Sequence, residues 1–197
     1  DEAREPAGYT RVRGAVMFAD MRGFTRISER LSPEQVVPLL NEFFELLTSV
    51  AVEHGGTVFN MAGDALMIGF GVPKEQADAE RRAVDTAREM LRRFGVLAAD
   101  WKRRLDVDTG LGIGINAGEV IAGNVGSQGF MSYTIVGDTV NVAQRLQELG
   151  KALQPEAEVA IIVSGETAAA IGTNAGLQSM GEQTLRGHTE PMAVYAL

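Results

Sequence analysis

The chain has 197 residues, 45% of them hydrophobic, which is enough for one sizeable core and argues against disorder. A formal net charge of −8 argues against a nucleic-acid-binding surface, and the absence of Cys excludes disulfide and thiol chemistry. No uninterrupted run of about 18 apolar residues is present, so no membrane contact is expected of this segment.

Asp1 to Gly8 is polar and begins without Met, which reads as part of a longer chain, with residues 1–12 as a tail or linker and 13–197 as one domain. Val16-Met-Phe-Ala-Asp20 reads as a buried strand that reaches a single carboxylate at its end. Gly23 lets the backbone turn tightly, and its bare amides with Phe24 and Thr25 suit a phosphate close to a metal at Asp20. Arg22 to Leu31 then reads as a short helix.

Ser32-Pro33-Glu34-Gln35 opens a longer helix. Ser32 is the cap, Pro33 the first helical residue and Gln35 the other half of a capping box. Val36, Leu39, Leu40, Phe43, Phe44, Leu47 and Val50 recur at helical spacing as a core-facing stripe, and Gly55-Gly56 ends it. Thr57 to Met61 and Ala65 to Phe70 form a predicted hairpin, with Asp64 on its turn.

Lys74 to Asp100 reads as a polar connection and a long amphipathic helix with a solvated arginine face. Trp101 is expected at its end. Leu111 to Asn116 reads as a strand with Gly on alternate positions, so bare backbone on one face implies close approach by another strand, a helix or a nucleotide. Ala117-Gly118-Glu119 is read as a turn, Val120 to Val125 as the return strand and Met131 to Val136 as another strand. A helix follows from Val140 to Leu149, then a strand from Val159 to Ser164 and a short helix to Ile171. Closing strands surround the loop Arg186 to Pro191. Hairpins dominate this order, which predicts an α/β fold of the α+β sandwich type: a ferredoxin-like, mainly antiparallel sheet with packed helices.

Asn141 and Arg145 are four apart and share one helical face; Arg145 offers a charged planar fork suited to phosphate. Phe18-Ala-Asp20-Met-Arg-Gly-Phe-Thr25, Gly63-Asp64 and Thr139-Val-Asn141-Val-Ala-Gln-Arg145 occur in that order. Together they resemble the class III nucleotide cyclase catalytic domain. The resemblance implies that Asp20 and Asp64 hold two Mg²⁺ or Mn²⁺ ions. It implies that Asn141 orients the ribose, that Arg145 stabilises phosphate charge, and that Arg186 stands where the family has a triphosphate-binding Lys. It also implies a head-to-tail homodimer, with each site drawing metal ligands from one copy and the Asn/Arg pair from the other. A cytoplasmic setting is expected.

Two further positions would read the purine by the same resemblance. Asn60 lies three residues before Gly63 and Thr134 three before Gly137. An Asn amide or a Thr hydroxyl can pair with either adenine or guanine, so hydrogen-bonding capacity does not decide between them. Thr134 resembles a Thr-bearing bacterial adenylyl subgroup and favours ATP, with GTP as the alternative. A catalytically inactive nucleotide-binding domain is a further alternative, supported by Asn60. A diguanylate-cyclase-like enzyme would need a signature that Gly63-Asp64-Ala65-Leu66 lacks.

Overall fold

The computed structural model describes residues 8–155, 157, 159–172 and 175–197. The remaining residues of the expected tail, 1–7, lie outside this range. Its organising element is β1 (Tyr9–Arg22), which begins four residues before the expected domain start at Arg13. It pairs with β4 (Gly110–Ser127) antiparallel along its whole length, from Tyr9 opposite Gly123 to Arg22 opposite Gly110. On its other edge lies β3 (Ala65–Phe70), which forms the expected hairpin with β2 (Thr57–Ala62).

The long ladder with β1 corrects the expected turn at Ala117-Gly118-Glu119. Ala117 and Gly118 stay extended opposite Ala15 and Gly14, and β4 runs unbroken for 18 residues. The length lets β4 serve two partners in succession on its far edge. Its first half pairs in parallel with β6 (Val159–Ser164), and its second half pairs antiparallel with β5 (Phe130–Val136). The sheet closes through β8 (Met192–Ala196) and β7 (Gln178–Gln183), giving the order β2-β3-β1-β4-β6-β8-β7 with β5 off that path. The expected α/β, mainly antiparallel architecture is what forms.

Residue parity sorts the two faces, because successive side chains on a strand point opposite ways. Met17, Ala19 and Met21 of β1 and Leu111, Ile113 and Ile115 of β4 join the main core. That core is covered by α2 (Pro33–Glu53), α3 (Ala79–Leu105) and α5 (Gly165–Ile171), with the short α1 (Phe24–Arg30) at its margin. The opposite parity faces α4 (Asp138–Leu153), where Val140, Val142, Ala143 and Leu146 build two smaller cores.

At the start of α2, the Ser32 N–H donates to Gln35 Oε1 at 3.1 Å, satisfying one of the helix's orphan donors. Among the described residues α2 is the one helix long and apolar enough, by length and composition, to cross a membrane. Leu39, Phe43, Leu47 and Val50 give that character, and all four are buried in the core. α3 outruns its expected end at Asp100. Trp101 is fully buried against Phe94, and Lys102, Arg103 and Arg104 suit the negative end of the helix dipole before Asp106 turns left-handed at φ 53°.

The bare backbone of β4 meets a helix. A Cβ on Gly114 would come within 2.3 Å of both the Ala143 carbonyl oxygen and the Gln147 nitrogen, so α4 lies directly on the strand. Those obstacles are backbone atoms and cannot rotate away. Gly114→Ala is therefore expected to destabilise the fold by about 2–3 kcal/mol through overpacking. Gly95 lies inside α3 with open space around its Cβ position. Gly95→Ala is expected to stabilise by about 0.5–1 kcal/mol. Urea midpoints at unchanged slope measure both, and equal effects of the two changes would contradict the close-contact account.

Candidate active site

Asp20 stands two residues before the end of β1, on the α4 face of the sheet. Its cross-strand neighbours are Ala65 and Gly112, so small side chains leave space around it. Asp64 occupies the hairpin turn with Gly63, whose φ of 60° suits glycine. The Met21 N–H donates to the Asp64 carbonyl at 3.3 Å and ties this turn to β1. The two carboxylates are thereby held side by side.

Their proximity has an electrostatic cost. Burial pushes the Asp64 carboxyl up to about 7, and the Asp20 carboxylate beside it adds to the rise. Lys151 opposes the shift. Its Nζ lies 3.4 Å from Asp20 Oδ2, and Gln147 Nε2 donates to the same oxygen at 3.5 Å. Asp20 Oδ1 is buried and has no hydrogen-bond partner among the described residues.

An orphaned carboxylate oxygen beside a second carboxylate that resists ionisation is what a hard divalent cation would relieve. Among the described residues no group of three or more His, Cys, Asp or Glu gathers to hold a metal. Two carboxylates alone suit Mg²⁺ or Mn²⁺, which keep waters and substrate phosphates as their other ligands, and do not form an all-protein cage.

A pocket of about 300 Å³ opens here, lined among others by Phe18, Asp20, Asn60, Gln144, Gln147 and Lys151. Asn60 reaches it beside a bulge, because β2 skips register between Val58 and Asn60. Thr134 is half-buried on β5, opposite Gly123. The residues immediately before these two, Phe59 and Tyr133, stack with ring centroids 6.1 Å apart, which ties β2 to β5.

A second cluster gathers the arginines. Arg145 Nη1 and Arg186 Nη2 lie 3.3 and 3.4 Å from the same Glu148 oxygen. Asn141 is exposed in the first turn of α4, its N–H donating to the Gly137 carbonyl at 3.2 Å. Gly23, at φ 75°, precedes α1 and lines a hollow with Arg22 and Arg26, just past the end of the strand that carries Asp20. Phe24 packs on the main core and Thr25 is exposed.

The structure thus joins Asp20, Asp64 and Asn60, and brings Arg145 and Arg186 together on Glu148, which lines the same pocket as Asp20. It does not bring Asn141 to the carboxylates. Ten residues of α4 separate Asn141 from Lys151, or about 15 Å of helix axis. Gln147, Glu148 and Lys151 were absent from the sequence-derived site, although they follow Gln144 at helical spacing of three and four.

A family model described as the adenylate and guanylate cyclase catalytic domain matches residues 9–197. An uncharacterized protein of Mycobacterium tuberculosis is 36% identical over 180 residues, covering 90% of this chain and 30% of its own length. The chain spans about 30% of the length of such curated relatives. The adenylyl cyclase CyaB of P. aeruginosa superposes with a TM-score of 0.87 at 31% identity, covering 95% of this chain and 94% of the other. The guanylyl cyclase Cya2 superposes at 0.83 with 32% identity, covering 96% and 93%. The chain belongs to the family of adenylate and guanylate cyclase catalytic domains.

Proposed function

We propose that this domain converts ATP to 3′,5′-cyclic AMP and pyrophosphate as a head-to-tail homodimer. The observation that carries the reading is the apposed Asp20–Asp64 pair, with a buried Asp20 oxygen that has no partner among the described residues. The 3′-oxygen forms a bond to the α-phosphorus, its proton is lost, and the bond from that phosphorus to the pyrophosphate oxygen breaks. Asp20 and Asp64 would hold two Mg²⁺ or Mn²⁺ ions, whose charge, when bound, lowers the pKa of the attacking hydroxyl and neutralises the leaving group.

The chain's other residues position and neutralise. Asn141 holds the ribose, Arg145 meets charge developing at the α-phosphate, and Arg186 holds the triphosphate tail. The backbone at Gly23, Phe24 and Thr25 offers the phosphates a close approach free of side chain at Gly23. Phosphoryl transfer demands positioning and charge stabilisation, so no Ser, Cys or His nucleophile is required.

Two observations support the dimer. Asn141 is exposed in the first turn of α4, about 9 Å of helix axis before Gln147 and about 15 Å before Lys151, the residues that meet Asp20, so it is available to a second copy. The β4–β5 hairpin also exposes Val125, Phe130, Met131 and Tyr133, with Phe130 74% exposed, an apolar face that a second copy would cover.

Thr134 supports adenine. Guanine is the second reading, because Asn60 in the pocket wall can pair with either base and the guanylyl cyclase Cya2 is as similar in sequence as the adenylyl cyclase CyaB. Turnover of ATP and of GTP, each with Mn²⁺ and with Mg²⁺, decides between them by the cyclic product formed. Thr134→Ala is expected to lower kcat/KM on ATP by about 5- to 100-fold, the range for a lost or mispaired buried hydrogen bond. Cyclic GMP as the sole product would overturn the ATP assignment, and no product from a dimeric protein would overturn catalysis altogether.

Asp20→Ala and Asp64→Ala should each reduce turnover about 100-fold or more, and retained activity in either removes the two-carboxylate assignment. Mixing Asp20→Ala with Arg145→Ala should restore roughly a quarter of the wild-type rate. Random pairing makes half the dimers mixed, and each mixed dimer holds one intact site of two. A mixture that dimerises and stays inactive contradicts the composite site.

A further inference from the structure

Lys151 lies outside every motif from which the domain was recognised, yet its Nζ is 3.4 Å from Asp20 Oδ2. Gln147, 5% exposed, reaches the same oxygen from one turn earlier on α4. The fold is built to deliver both. A Cβ on Gly112 would meet Gln147 Nε2 at 2.8 Å, and the bare Gly114 lets the α4 backbone rest on β4 just behind it. The last turns of α4 are thereby pressed against the carboxylate pair.

The two contacts differ in kind. Gln147 is buried, whereas the Lys151 side chain is 50% exposed, with solvent beside its ammonium. Glu148 is the nearest other charge on this part of the helix, and it already pairs with Arg145 and Arg186. Asp20 is therefore the ion-pair partner of Lys151.

We infer that Lys151 is a resident counter-cation of the aspartate pair, which compensates Asp20 in the metal-free protein and must leave it when a divalent ion binds. The inference rests on the reading of Asp20 and Asp64 as metal ligands. Its consequence is a built-in competition. The ammonium stabilises the aspartate pair whenever no metal is bound and weakens the first metal by the same interaction, because two cations cannot share one carboxylate without repulsion.

The experiment is Mn²⁺ binding to the nucleotide-free protein, followed by the electron paramagnetic resonance of free Mn²⁺, on wild type, Lys151→Gln, Lys151→Arg and Asp20→Asn. Lys151→Gln is expected to bind Mn²⁺ about 5-fold more tightly, as when a unit charge at a solvent-exposed position no longer opposes the ion. Lys151→Arg should stay near wild type. Thermal melting adds a readout that a packing role would not produce: Lys151→Gln should melt below wild type without metal, and the gap should close in saturating Mn²⁺. Unchanged or weaker Mn²⁺ binding in Lys151→Gln, or a melting deficit that persists in Mn²⁺, overturns the inference. Loss of binding in Asp20→Asn alongside either of those results leaves the metal reading intact. Wild type without Mn²⁺ binding, or Asp20→Asn with wild-type affinity, overturns the metal reading and the inference together.

Discussion

The contact between α4 and the bare backbone of β4 sets the geometry of everything else in this domain. A helix normally rests on a sheet through side chains, at a separation those side chains dictate. Here the Ala143 carbonyl and the Gln147 nitrogen stand where a Cβ of Gly114 would be, so backbone meets backbone. That depth is why a glutamine and a lysine on α4 reach a carboxylate on β1, a strand further on. It also fixes the line along which Asn141, Arg145 and Glu148 project. A single methyl group in this contact would lift the helix and lengthen hydrogen bonds that already span 3.4–3.5 Å.

Around that contact, charges of both signs are matched inside the chain. Glu148 holds two arginines, and Lys151 with Gln147 faces Asp20. Partial burial makes an uncompensated charge expensive, so a site of four or five ionic groups has to neutralise itself when nothing else is bound. The neutralisation is incomplete at one place: Asp20 Oδ1 has no partner among the described residues, and Asp64 is held near neutrality by burial and by its neighbour. Residual frustration of that kind is characteristic of residues kept for chemistry, since a purely structural pair would have been satisfied or replaced.

Much of the fold was legible in the sequence because its signals are local. Apolar runs marked β1, β3 and β6, Ser32 and Gln35 marked the start of α2, and Gly63-Asp64 marked a hairpin turn. The reading failed where the deciding interaction is remote. Ala117-Gly118-Glu119 resembles a turn in isolation, but 14 consecutive pairs with β1 hold it extended. The alternating glycines announced a close approach without naming the partner, since a helix, a strand and a nucleotide need the same empty face. The site divides in the same way. Asp20, Asp64, Asn141 and Arg145 stand in recognisable motifs. Gln147 and Lys151 do not, because only the depth of the helix contact turns their side of α4 into a wall of the Asp20 pocket. Their regular spacing was visible, but it could not identify which helical face meets β1.

The same helix carries both the groups that balance Asp20 and the proposed Asn/Arg pair. Gln147 and Lys151 face Asp20, while Asn141 lies about 9 and 15 Å of helix axis nearer the helix N-terminus. Under the proposed mechanism, the nucleotide touches the carboxylates of one copy and the Asn/Arg pair of the other. The exposed apolar hairpin Val125 to Tyr133 can supply adhesion between copies without spending any of the catalytic charges on it. Adhesion and chemistry are then carried by different residues. The ionic partners inside each chain remain exchangeable: Glu148 can yield its arginines to phosphate, and Lys151 can yield Asp20 to a metal, while the apolar contact holds the two copies together.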